Sequence, residues 1–303
     1  MRDIAILMST YNGEKYLEEQ LTSILNQTLI NRIDIWIRDD GSTNDTVTLL
    51  QKFKSSYNNI FVIFDENVGC TQSFFTLIEK VEKYDYYAFS DQDDVWLPNK
   101  IERAISMLSN VKGPALYGGC SSLVDRDLNT VGKTQICRRK ITFYNALIQN
   151  LMPGHTQVFN EEFKSLIKND LDMSKIIVHD YWLALMATAF ATVIFDNEPF
   201  TLYRQHSNNE IGYGFGHLGW ITERLRRVMN QAARDITIQD QYFLSLYSQI
   251  LKHEYKSECI ALISSQSHLF TRIYYLITKR VYRQKKTETL LFSILYLFGG
   301  YKI

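Results

Sequence analysis

Four short apolar runs, "DIAILMS" (3–9), "IDIWIRD" (33–39), "IFVIF" (60–64) and "YYAFS" (86–90), alternate with stretches of helical period. No other feature constrains the fold of these 303 residues as much. Each run is too continuously apolar for a strand with one wet face, so each reads as buried on both sides. Between the runs recur Leu17, Leu21, Ile24 and Leu25 after a cap at Asn12; Leu49, Leu50 and Phe53 after Asn44; Phe74, Ile78 and Val81; and Ile101, Ile105 and Leu108 after Pro98 in a first turn. Strand followed by helix, repeated, predicts an α/β fold with a mostly parallel central sheet and right-handed crossovers.

Sheets of this kind bind ligands beyond the carboxyl ends of their strands, and the polar clusters "STYNGE", "RDDGSTND", "DENVG" and "SDQDD" all fall there. Taken singly, the first two are also what turns and helix caps are made of. "SDQDD" is harder to reduce to a turn, because Asp91, Asp93 and Asp94 repel one another beside a buried aromatic strand. An oxygen-rich group of this type suits Mg²⁺ or Mn²⁺. Neither GxGxxG after the first strand nor GxxxxGK[ST] is present. Dinucleotide oxidoreductase and P-loop readings therefore lose their phosphate cradle, and a metal is expected to hold any phosphate.

A content of 46% hydrophobic and 13% aromatic residues supports one large core with an appendage. Cys70, Cys120, Cys137 and Cys259 form no CxxC pair, so reduced thiols are expected in place of zinc or disulfides. The opening "MRDIAILMSTYNGEKY" does not read as a signal peptide, and "TLLFSILYLFGG" is shorter than the about 20 residues a bilayer span needs, so a cytoplasmic location is expected. Net charge is zero, but residues 217–303 carry 13 Lys/Arg against 6 Asp/Glu, net +7, leaving net −7 for residues 1–216. The expected division is a catalytic domain over 1–216, with halves of about 1–115 and 116–216, and a basic helical extension over 217–303.

In this order and spacing, "STYNGEKYLEEQLTSILNQT", "IRDDGSTNDT", "ENVG" and "SDQDDVWLPNK" resemble the inverting family 2 glycosyltransferases of the Rossmann-like GT-A fold, over residues 1 to about 210. "PGHTQVFN", "VHDYW" and "LYRQHSNN" resemble, more loosely, the acceptor side of a bacterial rhamnosyltransferase-like subgroup. The resemblance implies a nucleotide-sugar donor held by Thr10, Tyr11, Glu14, Asp40, Gly69, Asp91, Gln92 and Arg204, with Asp40 accepting the pyrimidine N3 hydrogen and Asp39 orienting its loop. Asp91 and Asp93 would be the DxD pair, Asp93 the direct metal ligand, with His206 completing the shell; Asp94 would serve a helix start. His155, His179 and Trp182 would line the acceptor side. Asp180 would be the base: it opens a helical pattern of Leu183, Ala187 and Phe190, where the helix dipole favours the ionised carboxylate. A plain N-cap is the alternative role.

The implied reaction is metal-dependent inverting transfer from dTDP-β-L-rhamnose, or failing that a UDP-hexose, to a hydroxyl of a lipid-linked oligosaccharide or polysaccharide. A sugar nucleotidyltransferase or phosphodiesterase would use the same carboxylates, and a catalytically idle glycan-binding relative would keep them. The tail segments "WITERLRRVMNQAARD" and "HLFTRIYYLITKRVYRQKK" interleave basic and aromatic residues. They are expected to lie on an anionic membrane surface at the inner face of the cell membrane, in preference to nucleic acid. Packing on the catalytic domain, or a homodimer, is the alternative.

Overall fold

The computed structural model of the protein describes residues 2–134, 136–205 and 232–301, so His206 and the basic stretch 217–231 lie outside the described residues. The expected strands form as β1 (Ile4–Thr10), β2 (Ile33–Asp40), β3 (Ile60–Asp65) and β4 (Tyr86–Ser90). Helices α1 (Leu17–Leu25), α2 (Thr46–Ser56), α3 (Cys70–Lys80) and α4 (Lys100–Leu108) follow them in turn. Two start signals behave differently from expectation. Asn12 sits at φ +48° and gives its side-chain oxygen to the Thr43 N–H, five residues before α1, and Asp94 lies six residues before α4, which begins after Asn99.

Further strands β5 (Val95–Trp96), β6 (Ala115–Gly119), β7 (Ser122–Val124), β8 (Thr130–Lys133), β9 (Val158–Asn160), β10 (Thr192–Asp196) and β11 (Thr201–Arg204) complete two sheets. The larger has the order β10-β6-β9-β4-β1-β2-β3 and the smaller β5-β11-β7-β8. β1 pairs in parallel with β2 and β4, with Thr10 opposite Asp39 and Met8 opposite Ser90, so three polar clusters leave the sheet side by side. β9 is the exception to parallel pairing: it runs antiparallel to both β4 and β6 and joins the parallel pair β10-β6 to the four parallel strands β4-β1-β2-β3. β3, read from sequence as buried on both faces, is an edge strand whose last two residues are exposed.

Along β1, Ile4, Ile6 and Met8 enter one apolar cluster with α1, α2 and α4, and Ala5 and Leu7 enter the other with α3. Each of the Ile, Leu and Met side chains, fully buried, stabilises by about 1.5–3 kcal/mol. Helix α5 (Phe143–Ala146), α6 (Glu161–Lys164) and α7 (His179–Phe190) cover the second face. The chain then returns as α8 (Ala232–Tyr247), α9 (His253–Ser264), α10 (Leu269–Thr278) and α11 (Lys286–Leu297). Phe243, Tyr247, Cys259, Leu262, Tyr275, Phe292 and Tyr296 share one cluster with Trp182 and Leu183, so these helices build part of the same core.

Candidate active site

Side-chain bonds brace the four polar clusters into one surface. Asp39 accepts from both the N–H and the hydroxyl of Ser42 (3.0 and 2.6 Å), and Ser42 Oγ in turn accepts the Asn12 N–H at 2.9 Å. Glu14 accepts the Asp45 N–H at 3.0 Å. Gln92 crosses from the β4 loop to the end of β1: its Oε1 accepts from Thr10 Oγ1 (2.6 Å) and Tyr11 N (2.9 Å), and its Nε2 donates to Tyr11 O (3.1 Å). Gly13 permits this approach, since a Cβ there would stand 2.2 Å from Gln92 Oε1. The Tyr11 ring stays 47% exposed at the mouth.

Asp40 is 2% exposed, paired with the Arg38 guanidinium through Oδ1, and it also accepts the Val68 and Gly69 N–H groups at 2.9 Å each. A carboxylate offers about four lone-pair sites, so one remains on Oδ2. Gly69, at φ +84°, faces open space at the start of α3.

The carboxylates of "SDQDD" separate. Asp91 and Asp94 converge on His155, whose Nδ1 is 3.5 Å from Asp91 Oδ2 and 3.9 Å from Asp94 Oδ2. Asp93 gives its backbone carbonyl to Arg204 Nε at 3.0 Å. The imidazole is fixed by Ser121 Oγ at 2.8 Å from Nε2, by the stacked Tyr203 ring at 4.6 Å, and through its own carbonyl by Lys100 Nζ at 2.5 Å. Lys100 Nζ also lies 3.4 Å above the Trp96 ring, and burial holds its pKa well below the usual lysine value.

Asp94 is fully buried; its Oδ1 accepts the Arg204 N–H at 3.2 Å, and Oδ2 has no hydrogen-bond partner among the described residues. Burial raises its pKa to about 8. Burial also opposes ionisation of Asp91, but the His155 imidazole outweighs it and the pKa falls. For His155 burial opposes the charge, the Asp94 and Asp91 carboxylates prevail, and the pKa rises. Two carboxylates and an imidazole with ligand atoms within 4.8 Å of one another, one oxygen of them orphaned, fit a divalent cation.

Asp180 lies in the first turn of α7, 8% exposed. Its Oδ1 accepts from Asn150 Nδ2 at 3.0 Å and its Oδ2 from the Gly154 N–H at 2.8 Å. Gly154 is followed by His155, so one two-residue step of chain connects the Asp180 carboxylate to the Asp91–Asp94–His155 group.

Residues 5–168 match the family described as Glycosyl transferase family 2. The chain belongs to this family. A dTDP-rhamnosyl transferase RfbG from Shigella flexneri is 34% identical over 266 residues, 77% of this chain and 87% of that protein. A UDP-Glc:alpha-D-GlcNAc-diphosphoundecaprenol beta-1,3-glucosyltransferase WfgD from Escherichia coli is 29% identical over 182 residues, 60% of this chain and 68% of that one. Among solved structures, S. aureus TarS 1-349 in complex with UDP-GlcNAc aligns with a TM-score of 0.57 at 15% identity, covering 99% of this chain and 89% of that chain. The mannosyltransferase PcManGT from Pyrobaculum calidifontis, in complex with GDP-Man and Mn²⁺, aligns at 0.52 with 14% identity, covering 99% and 86%. The fold of this glycosyltransferase is thus the expected GT-A fold.

Several expected positions take other roles in the folded family 2 chain. Trp182 is fully buried against Tyr242, Phe243 and Tyr247, so it packs the core and presents no face to an acceptor. His179 is 5% exposed, stacked on Phe74 at 4.0 Å and edge-on to Phe89. His155, expected toward the acceptor, stands with the carboxylates. Arg204 is 1% exposed and directs its guanidinium to Glu19, to Arg126 O at 2.6 Å and to Asp93 O, over the Tyr16 ring, so it clamps loops internally. His206 lies outside the described residues. The sequence reading missed Lys100, Ser121, Asn150 and Tyr203; all four act through tertiary proximity, and no spacing in the chain marks them.

Proposed function

We propose that this family 2 enzyme performs inverting transfer of a sugar from a nucleoside diphosphate donor, dTDP-β-L-rhamnose as the leading candidate, to a hydroxyl of a lipid-linked glycan. The observation that carries the reading is the Gly154–His155 step, which joins a candidate base to a candidate cation group. The donor choice is supported by the 34% identical dTDP-rhamnosyl transferase, and the acceptor class by the diphosphoundecaprenol in the Escherichia coli relative's name. That relative's UDP-Glc also favours the second reading, a UDP-hexose donor.

In this scheme Thr10, Tyr11, Glu14, Asp40 and Gly69 receive the nucleoside, with the remaining Asp40 lone pair free for the pyrimidine N3 hydrogen. Gln92 holds the β1 and β4 loops in register. Asp91, Asp94 and His155 would hold Mg²⁺ or Mn²⁺, with Asp93 on the same loop, and a cation held there would supply positive charge for a departing diphosphate. Asp180, in the first turn of α7, accepts the acceptor hydroxyl's proton as the new bond forms on the face opposite the diphosphate. Lys100 keeps the His155 backbone in place.

The test is a screen of dTDP-rhamnose, UDP-glucose, UDP-galactose and UDP-GlcNAc for metal-dependent thermal stabilisation and hydrolysis. Stabilisation by dTDP-rhamnose with nucleoside diphosphate as product supports the leading reading. Stabilisation only by a UDP-hexose transfers the assignment to that donor, and release of pyrophosphate or sugar phosphate overturns sugar transfer.

A further inference from the structure

The outer face of the last two helices carries a feature that the sugar-transfer site does not use. On α10, Phe270, Ile273, Tyr274 and Ile277 are exposed by 83, 41, 71 and 79%. Their spacing of i, i+3, i+4 and i+7 puts them on one helix face. On α11, Leu290 and Ile294 repeat the pattern at 62 and 44%, and Phe298 just beyond is 82% exposed. The opposite faces are occupied: Tyr275 and Tyr296 pack on each other at 5.1 Å, both buried, which turns the two apolar faces outward. A monomeric soluble surface rarely leaves paired apolar stripes of this kind uncovered.

Charge decides what covers them. Residues 268–301 hold six Lys/Arg against one acidic residue, Glu288, which is 3% exposed. Lys285 at the end of the connector between the helices and Lys286 at the start of α11 are both exposed. Gln284 of the same connector accepts the Arg138 and Arg139 N–H groups (3.2 and 2.9 Å), and the Tyr282 hydroxyl donates to Lys140 O at 2.7 Å. Exposed Arg138, Arg139 and Lys140 are thereby anchored to the connector, lining a pocket with Val193 and Phe195 of the edge strand β10. No described helix is long and apolar enough to cross a membrane.

We infer that the α10–α11 face is a docking surface for an anionic lipid bilayer: the apolar stripes enter the boundary between headgroups and acyl chains, and the basic connector with residues 138–140 meets the anionic headgroups. The inference rests on the lipid-linked acceptor reading for its purpose and on the surface for its geometry. It narrows the expectation from the sequence, which placed the interleaved basic and aromatic residues of the whole tail on a membrane, to the apolar faces of two short helices and the basic residues beside them.

The test is flotation of the full chain with vesicles of phosphatidylcholine alone and with added phosphatidylglycerol, for the parent, Phe270→Ser/Ile277→Ser and Lys285→Glu/Lys286→Glu. The parent is expected to float with the anionic vesicles and to be released by salt. The apolar double variant should lose binding by roughly tenfold or more, since two large side chains no longer leave water; the charge variant should lose its preference for phosphatidylglycerol. Melting temperature and donor hydrolysis should stay at parental values in both. Absence of parental flotation, or parental flotation by the apolar variant, overturns the proposal. So does a parental dimer that the apolar variant splits while vesicle binding is unchanged, because the stripes are then a subunit contact. A parent that floats but turns over no nucleotide sugar overturns sugar transfer and leaves the docking surface standing.

Discussion

Asp180 shows how much a single side chain can be asked to do, because its carboxylate both fixes a loop and is proposed to accept a proton. Asp180→Asn keeps one accepting oxygen but opposes an N–H to an N–H at either Gly154 or Asn150. Leaving a buried donor unsatisfied costs about 1–3 kcal/mol, so the variant should melt several degrees below the parent yet remain folded. Loss of a positioned base slows transfer by ~10²- to 10⁴-fold. Sugar transfer assayed beside donor binding separates the two effects: near-parental transfer would make Asp180 an anchor for the Asn150–Gly154 loop alone, since the N-cap of α7 is Val178. A second expectation concerns Asp94, which the sequence suggested for a helix start. Asp94→Asn should abolish the Mg²⁺- or Mn²⁺-dependent part of donor stabilisation in a thermal shift assay, as should Asp91→Asn; an unchanged metal response in Asp94→Asn would return the ligand role to Asp93. The carboxylate-rich loop was legible in the sequence, whereas the choice among its members was not. That choice depends on which side chain the turn after β4 buries against His155, more than sixty residues away in the chain.

At the scale of elements, the short turn at Gly154–Thr156 is the piece on which the site depends. A Cβ on Gly154 would stand 2.7 Å from His179 Nε2, and that ring is wedged against Phe74 and Phe89 and has little room to yield. Gly154→Ala should therefore displace the turn, at a cost of about 1–3 kcal/mol for overpacking. It should lower transfer along with the melting temperature, since both Asp180 and His155 are anchored there. Parental activity in Gly154→Ala would mean that the turn does not hold the two groups in register. The first four strands were legible from apolar periodicity to within a residue at each end, because each is local and strongly patterned; the four helices were legible in place but not in their starts, since α1 begins five residues after Asn12. β9 was not: three residues carry no periodicity, and their antiparallel direction is set by the neighbours β4 and β6.

For the whole molecule, the C-terminal helices matter as packing. Trp182→Ala should destabilise by about 3–5 kcal/mol by leaving a cavity among α7 and α8, visible as a large fall in melting temperature; a mild effect confined to the acceptor KM would instead restore the sugar-stacking role. Asp240 of α8 is 1% exposed with neither carboxylate oxygen hydrogen-bonded among the described residues, and burial raises its pKa well above the usual value. A raised carboxyl pKa stabilises the fold fully below the unfolded value of about 3.9, and that contribution is lost as pH climbs toward the folded value. Asp240→Asn should accordingly melt higher than the parent at pH 7, by a few degrees if it restores about 1 kcal/mol, with the difference shrinking toward pH 4; a pH-independent difference would place the carboxyl in a partnered setting. The sequence marked this tail as helical and basic and offered packing on the catalytic domain only as the alternative, since which face of a helix is buried is decided by the partner it meets. The position of β9 has one more consequence, for the order in which the chain assembles. As synthesis proceeds from the amino end, β1, β2, β3 and β4 can pair as they appear, yet β6 has no bond to them until residues 158–160 arrive. The last strand to enter the middle of the sheet is thus among its shortest, and the non-local closure it completes sets a late, slow event for a nascent chain whose first hundred residues already hold β1 to β4.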